Sequence, residues 1–406
     1  MAVQATGIEA QSYETDAALL EELRAGPPIQ GVDGPGLPPA GAVRLTDRFA
    51  VALLDTGDGG FASVPILRWG FAGWRRAVAG DGLSAFVAGV PLASERAIGV
   101  DQTHESVVVG ERAIVKWFRT VGPSPSRATL LLGHLAAVGY RGIPQPLGSI
   151  AWRSPAGIEL TIAQGDAFLA GARDGWEWVV ERAEAGPETA ISTGRELGRL
   201  VAGLHRALAL PSPLIAGPFG VALAADVDAW RSAAVATLEQ ALALTDGADG
   251  EELRGWAPAM RAAIDPGVAT DSAVPIQPIH GDLHVGQVLE WSRGLAVIDF
   301  DGNPALGADG NVLRQPIERD VAQMLSSLDH VGRVVEHRRG GDPDGGIRRW
   351  IAAARRAFLE VVRPANAGLL EAFEVEQECR ELVYAARFLP SWRFAPMATL
   401  RARFAG

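Results

Sequence analysis

Residues 279–304, IHGDLHVGQVLEWSRGLAVIDFDGNP, constrain this chain more than any other segment. Two strand-like runs, one from Gln287 to Trp291 and one from Leu295 to Phe300, flank Ser292-Arg293-Gly294. Three-residue hairpin loops put glycine in the left-handed position, and Gly294 stands where that residue is needed. This loop sets Trp291 against Leu295 and puts Gln287 directly opposite Asp299. Opposed residues on antiparallel strands share a face, with Cβ atoms about 5 Å apart. An amide oxygen and a carboxylate so placed form two ligands for a hard divalent cation. Mg²⁺ takes few protein oxygens and completes its shell with phosphate and water. Asp282, on the loop entering the hairpin, can reach a hydroxyl held beside such an ion.

Phosphoryl transfer divides its labour in this way. One aspartate orients and deprotonates the acceptor hydroxyl, an amide and a second aspartate hold Mg²⁺, and a lysine on a separate strand grips the nucleotide phosphates. Composition supplies the lysine. Of 37 basic residues, 36 are arginine and one, Lys116, is lysine. A chain biased so far toward arginine retains a lysine where a compact ammonium fits and a planar guanidinium does not, unless the residue survives by chance on an exposed strand. Lys116 stands in AIVKWF, a strand context of the same type as the kinase VAIK segment. It neither follows a glycine nor precedes Ser or Thr, which excludes a P-loop.

A net charge of −11 leaves no basic stripe for phosphate backbones, so nucleic acid is not an expected partner. The single cysteine, Cys379, excludes an internal disulfide framework and a cysteine-based zinc site. No apolar run approaches the ~18 residues of a membrane span, and the first residues lack a basic-then-apolar signal. A cytoplasmic protein without membrane partners is expected. Along the chain, residues 1–90 read as a small α+β unit with a helix at 15–25 and strand-like runs, LSAFVAGVPL among them. Residues 91–166 read as a β-rich lobe with one helix, and 167–406 as a mostly helical lobe carrying the hairpin. A ligand is expected between the last two lobes.

The residues Gln102 and Ser106 in DQTHESVVVG, Lys116, DGWEW (174–178), LGRLVAGLHRAL, HGDLHVGQVL and VIDFDGNP together resemble the aminoglycoside-phosphotransferase-type kinases. More narrowly they resemble the maltokinase-related sugar kinases of actinobacteria. The resemblance implies an α+β, bilobal protein-kinase-like fold with an N-terminal cap formed by residues 1–90. It also implies roles for individual residues. Asp282 would be the catalytic base, and Gln287 and Asp299 the Mg²⁺ ligands. Lys116 would bind the α/β-phosphates of ATP, covered by backbone N–H groups around Gln102–Ser106. His280 would prop the catalytic loop, and Asp320 would anchor it from a helix. Asp301, read as sharing Asp299's strand face, would touch metal or sugar. The helix after Lys116 carries no glutamate to pair with the lysine.

The C-terminal segment QECRELVYAARFLPSWRFAP bears on the acceptor. On a helix Gln377, Arg380, Glu381 and Tyr384 fall at i, i+3, i+4 and i+7, one polar face. Trp392 lies nearby as an apolar platform for a pyranose. This block resembles the C-terminal signature of the actinobacterial glucosamine kinases, with Ser391 where family members often carry arginine. The resemblance implies ATP- and Mg²⁺-dependent phosphorylation of D-glucosamine to D-glucosamine 6-phosphate. Asp282, Asp301, Gln377, Arg380, Glu381, Tyr384, Trp392 and His205 would form the acceptor site. An acidic pocket attracts an ammonium group, with Glu381 its first partner and Asp301 its second. Maltokinase, aminoglycoside phosphotransferase and a catalytically inactive kinase-like scaffold remain the alternatives.

Overall fold

The chain forms two units, residues 1–136 with 144–171, and residues 137–143 with 172–406. The computed structural model describes residues 11–32, 37–70, 73–98, 104–265, 273–303 and 312–405.

In the first unit the order is β1 (Gln11–Tyr13), α1 (Ala17–Ala25), β2 (Pro39–Arg44), β3 (Phe49–Asp55), β4 (Phe61–Trp69), β5 (Gly73–Arg76), α2 (Leu83–Val87), β6 (Glu95–Ala97), β7 (Glu105–Val109), β8 (Ala113–Pro123), α3 (Arg127–Ala137), β9 (Pro146–Arg153) and β10 (Glu159–Ala167). The FAVALLD run of β3 is buried on both faces, with the period of two that a strand imposes. Phe49, Val51 and Leu53 join one core, while Ala50, Ala52 and Leu54 join another beneath α1. Helix α1 starts at Asp16, whose carboxylate accepts from the Leu19 N–H at 2.8 Å, and it buries Leu19 and Leu23 one turn apart.

All ten strands belong to one sheet, ordered β1-β9-β10-β8-β4-β3-β2, with β5 on β4 and β6-β7 branching from β8. The expected boundary near residue 90 falls within this sheet, which has strands on both sides of it. The long strand β8 pairs with β7 through its first half and with β10 at both ends, and Thr120 pairs with Ala62 of β4. Ser63 Oγ donates to the Phe118 carbonyl, and Trp117 Nε1 donates to Ser84. The LSAFV run, expected as a strand, is helix α2. Glu95 explains the difference, because its carboxylate accepts from the N–H groups of Gly80, Gly82 and Ala85 and satisfies a helix start.

The second unit contains α4 (Gly175–Ala185), α5 (Ala190–Leu208), β11 (Gly220–Ala222), α6 (Ala224–Leu244), α7 (Gly247–Ile264), β12 (Val274–Pro278), β13 (Val288–Trp291), β14 (Gly294–Val297), β15 (Arg314–Gln315), α8 (Glu318–Arg339), α9 (Gly346–Val362), α10 (Ala367–Phe388) and α11 (Phe394–Phe404). Among the described residues no helix is long and apolar enough to cross a membrane. Helix α10 buries Val375, Cys379 and Leu382 against α6, α7 and α11, which leaves its opposite edge for polar groups. Helix α8 is buried along most of its length although polar residues fill it.

The hairpin of β13 and β14 has a tighter turn than expected. Trp291 pairs with Gly294 and Val288 with Val297, so Ser292 and Arg293 alone form the loop. This shifts the register by one residue. The Ile298 N–H donates to the Gln287 carbonyl, and Asp299 lies one residue beyond the position opposite Gln287.

Candidate active site

One helix holds the loop that precedes the hairpin. Asp320, in the first turn of α8, accepts the His280 N–H at 2.9 Å and the Gly281 N–H at 2.8 Å. One turn on, Gln323 accepts the Leu283 N–H and donates to the Gly281 carbonyl. One further turn on, Ser327 accepts the Val285 N–H. Residues at i, i+3 and i+7 share one helix face, so this stripe measures out the loop backbone. It closes the accounting for buried peptide groups that no sheet or helix satisfies. Sequence reasoning identified Asp320 and passed over Gln323 and Ser327. The signal available was the D-x-x-Q-x-x-x-S spacing itself.

His205, expected at the acceptor wall, meets Asp320 in the structure. It is buried on α5, and its Nε2 lies 3.0 Å from Asp320. Burial alone would raise the Asp320 carboxyl, but the hydrogen bond and charge of His205 hold it below the usual carboxylate range.

The held loop presents Asp282, whose Oδ1 accepts from Asn303 Nδ2 at 3.0 Å. Burial pushes the Asp282 carboxyl up to about 6, with Asp299 and Glu381 adding to the shift and His280 and Arg380 opposing it. The His280 ring sits behind it. Its Nδ1 accepts the Asp282 N–H at 3.2 Å, so Nε2 carries the proton and donates to the Ile298 carbonyl at 2.9 Å. Burial holds this imidazole below its ordinary range, which keeps it a neutral prop.

A second histidine was missed from the sequence, although it stands only two residues after Asp282. His284 Nδ1 accepts from the Gly286 N–H, which turns Nε2 to within 4.0 Å of Asp282 Oδ2 and 3.5 Å of the Gln287 amide. Asn303 was likewise unassigned, because nothing in VIDFDGNP shows that the chain folds back on Asp282.

Gln287 and Asp299 meet despite the shifted register. Gln287 Nε2 lies 3.4 Å from Asp299 Oδ2. Asp299 has φ +64°, the left-handed region that short polar residues tolerate better than others, and this turns its side chain back toward Gln287. Strand β14 has ended by then, so Asp301 does not share a strand face with Asp299. It stands half-buried in the turn that follows. The donor set suits a hard cation: an exposed carboxylate beside an amide whose oxygen reaches the same space if the amide turns over. Among the described residues no group of three or more His, Cys, Asp or Glu is placed to hold a metal ion. A cation held by this pair would take its remaining ligands from phosphate and water.

Helix α10 supplies a second wall. Glu381 is held at both oxygens, Oε1 by Gln377 Nε2 at 3.0 Å and Oε2 by Trp392 Nε1 at 2.9 Å. Its charge is felt at both Asp282 and His284. Arg380 is occupied by Glu376, which also takes Arg319 from α8. Tyr384 is not part of this cluster. It is exposed and packs on Phe388, with ring centroids 5.5 Å apart. Trp392 packs T-shaped on Trp176 of the DGWEW segment at 5.8 Å.

In the first unit Lys116 lies on β8 directly between Ser106 of β7 and Gln164 of β10. Ser106 is therefore a buried strand residue beside the lysine rather than part of a turn, and Gln102 lies outside the described residues. Helix α3, which lacks a glutamate, contributes Thr129. Its hydroxyl donates to Gln164 Oε1, and Gln164 Nε2 donates to Asp166.

Comparison with known proteins gives one consistent result. The phosphotransferase enzyme family is matched over residues 96–303. A glucosamine kinase of Streptacidiphilus jiangxiensis is 37% identical over 396 residues, covering 88% of this chain and 89% of that protein. One from Mycolicibacterium smegmatis (strain ATCC 700084 / mc(2)155) is 35% identical over 381 residues, covering 84% and 92%. Among solved structures, a glucosamine kinase in complex with glucosamine, ADP and inorganic phosphate is similar at a TM-score of 0.79 and 35% identity. That match covers 94% of this chain and 98% of the other.

Proposed function

This chain belongs to the phosphotransferase enzyme family and to its glucosamine kinases, and we propose that it transfers the γ-phosphoryl group of ATP to the 6-hydroxyl of D-glucosamine. The observation that carries the choice of acceptor is the Glu381 carboxylate. It is fixed at both oxygens by Gln377 and Trp392 and is electrostatically coupled to Asp282. A carboxylate held this way has lone pairs left for a cationic donor, and a sugar amine supplies one.

Asp282 takes the proton from the acceptor hydroxyl. Its raised carboxyl makes it a stronger base than an exposed aspartate while leaving it ionised near neutrality. Asn303 and the His280-propped backbone fix its rotamer, so the base is aimed before the sugar arrives. His284 Nε2–H faces the same space and serves as a donor to the acceptor or to Asp282. Gln287 and Asp299 would hold Mg²⁺. Bound there, it neutralises charge on the transferring phosphoryl oxygens. Lys116 grips the α/β-phosphates as a point charge, with Ser106 and Gln164 flanking it on the sheet. The cytoplasm, where ATP is abundant, is the proposed compartment.

The test is ADP release with ATP and Mg²⁺ across glucosamine, N-acetylglucosamine, glucose, maltose and kanamycin. Strong turnover of glucosamine with little of glucose or N-acetylglucosamine supports recognition of the free amine. Preferred turnover of maltose or kanamycin overturns the assignment of acceptor, and no turnover with any of them overturns the assignment of activity.

A further inference from the structure

Helix α8 continues its stripe beyond Ser327 to His330, which takes no part in holding the loop of Asp282. His330 is 3% exposed. Its Nε2 lies 2.8 Å from Glu378 Oε2 on α10, also buried. Its ring packs T-shaped on Trp392, with centroids 5.5 Å apart and planes at 85°. Trp392 is gripped on other sides by Trp176 and Phe394, each with centroids 5.8 Å away, and its Nε1 donates to Glu381. The ring that fixes Glu381 is thus fixed in turn by His330.

The buried pair needs a reason to exist. Taking a carboxylate and an imidazolium out of water costs about as much as their attraction returns, so such a pair is weak evidence for stability. Glu378 and Glu381 nevertheless hold His330 charged, up to about 9, against the burial that opposes it. Glu378 Oε1 has no hydrogen-bond partner, so the pair is not a saturated structural network. What its geometry specifies is the orientation of one tryptophan.

We propose that His330 is a positioning residue for the acceptor. Paired with Glu378, it holds Trp392, and through Trp392 the Glu381 carboxylate, in register with the loop of Asp282 that the same helix carries. One rigid element then sets both the base and the amine-binding group. A sugar is accepted when its amine meets Glu381 while its reacting hydroxyl meets Asp282. The inference rests on the reading of Glu381 as the partner of the acceptor amine.

The experiment compares H330Q, E378Q and E381Q with the wild type in steady-state kinetics for glucosamine, glucose and ATP, with thermal unfolding of each. His330→Gln and Glu378→Gln are expected to raise KM for glucosamine roughly tenfold with KM for ATP within about twofold, and to lower the preference for glucosamine over glucose. An unchanged glucosamine KM in folded H330Q overturns the proposal. So does a parallel change in both KM values and kcat, which is what a loosened core produces. If H330Q does not fold, E378Q decides the matter by the same criteria, since it keeps the shape of the side chain. An unchanged glucosamine KM in E381Q overturns the reading of Glu381 itself. A raised KM in E381Q with none in H330Q or E378Q removes only the role of His330.

Discussion

Asp320 holds the loop of His280 from below. Its Oδ2 accepts the His280 N–H at 2.9 Å, and its Oδ1 accepts the neighbouring Gly281 N–H at 2.8 Å. Two adjacent peptide donors on one buried carboxylate leave the backbone beside Asp282 a single orientation. Replacing Asp320 with Ala strands both donors and His205 in a buried site, at a cost of about 3–5 kcal/mol. Urea unfolding measures that loss, and kcat is expected to fall with it, because the base no longer has a fixed position.

Asp282 predicts a pH dependence of opposite sign to that of an ion-paired carboxylate. Its folded-state value, about 6, lies above the unfolded value, so the native state binds the extra proton in that window. Stability therefore falls as pH rises from about 4 toward 6, and stays lower above it. Asp282→Asn removes this penalty and is expected to be more stable than wild type at pH 7, on the order of 1–3 kcal/mol. Turnover is expected to be abolished in the same variant with ATP binding retained. The wild-type kcat/KM profile should carry an acid limb near 6.

Lys116→Arg tests whether the lone lysine is there for its shape. The variant keeps the charge between Ser106 and Gln164 but replaces a compact ammonium with a planar fork. KM for ATP is expected to rise about tenfold or more, with KM for glucosamine little changed. Equal ATP affinity in the two proteins would sink the role assigned to Lys116.

Gly175 is the narrowest passage between α4 and the segment that leads to Gln287. A Cβ there would sit 1.7 Å from the Val285 carbonyl oxygen and 2.7 Å from that of Val288. Both are backbone atoms and cannot swing aside. Gly175→Ala is expected to lose roughly 3 kcal/mol of stability and to need more Mg²⁺ for half-maximal rate. Titrations of Mg²⁺ against activity in both proteins check this, since a shift in α4 moves Gln287.

Trp392→Phe keeps an aromatic platform and removes the Nε1–H that donates to Glu381. One hydrogen bond to a charged group is worth about 1.5 kcal/mol, so KM for glucosamine is expected to rise roughly tenfold. Trp392→Ala, which also vacates the face packed on Trp176 and His330, should cost more. Identical kinetics in W392F and wild type would remove Trp392 from the acceptor site.

Some of this was legible before any fold was known. Asp282, Gln287 and Asp299 flank one hairpin of β13 and β14, so their neighbourhood follows from a local strand pairing. Lys116 was marked by being the sole lysine, and Glu381 by sharing a helix turn with Gln377. Even so, the one-residue register shift shows how narrow local reasoning is. Turn length was misjudged, and Gln287 and Asp299 meet out of register, with Asp299 in a left-handed backbone.

What the sequence alone determined was therefore which chemistry-bearing side chains stand near one another along the chain: an aspartate ahead of a hairpin, an amide and a carboxylate at its two ends, a lone lysine on a strand and a polar helix edge. The tertiary structure decided the rest. His205 met Asp320, Asn303 came back to Asp282, and α8 brought Asp320, Gln323, Ser327 and His330 to residues tens of positions away. The physical reason is the range of the signals. Strand and helix periodicity report which side chains share a face over a few residues. Which buried donor meets which buried acceptor across the core is set by packing, and α8 is buried along most of its length, so its pattern does not tell which polar residues hold other segments.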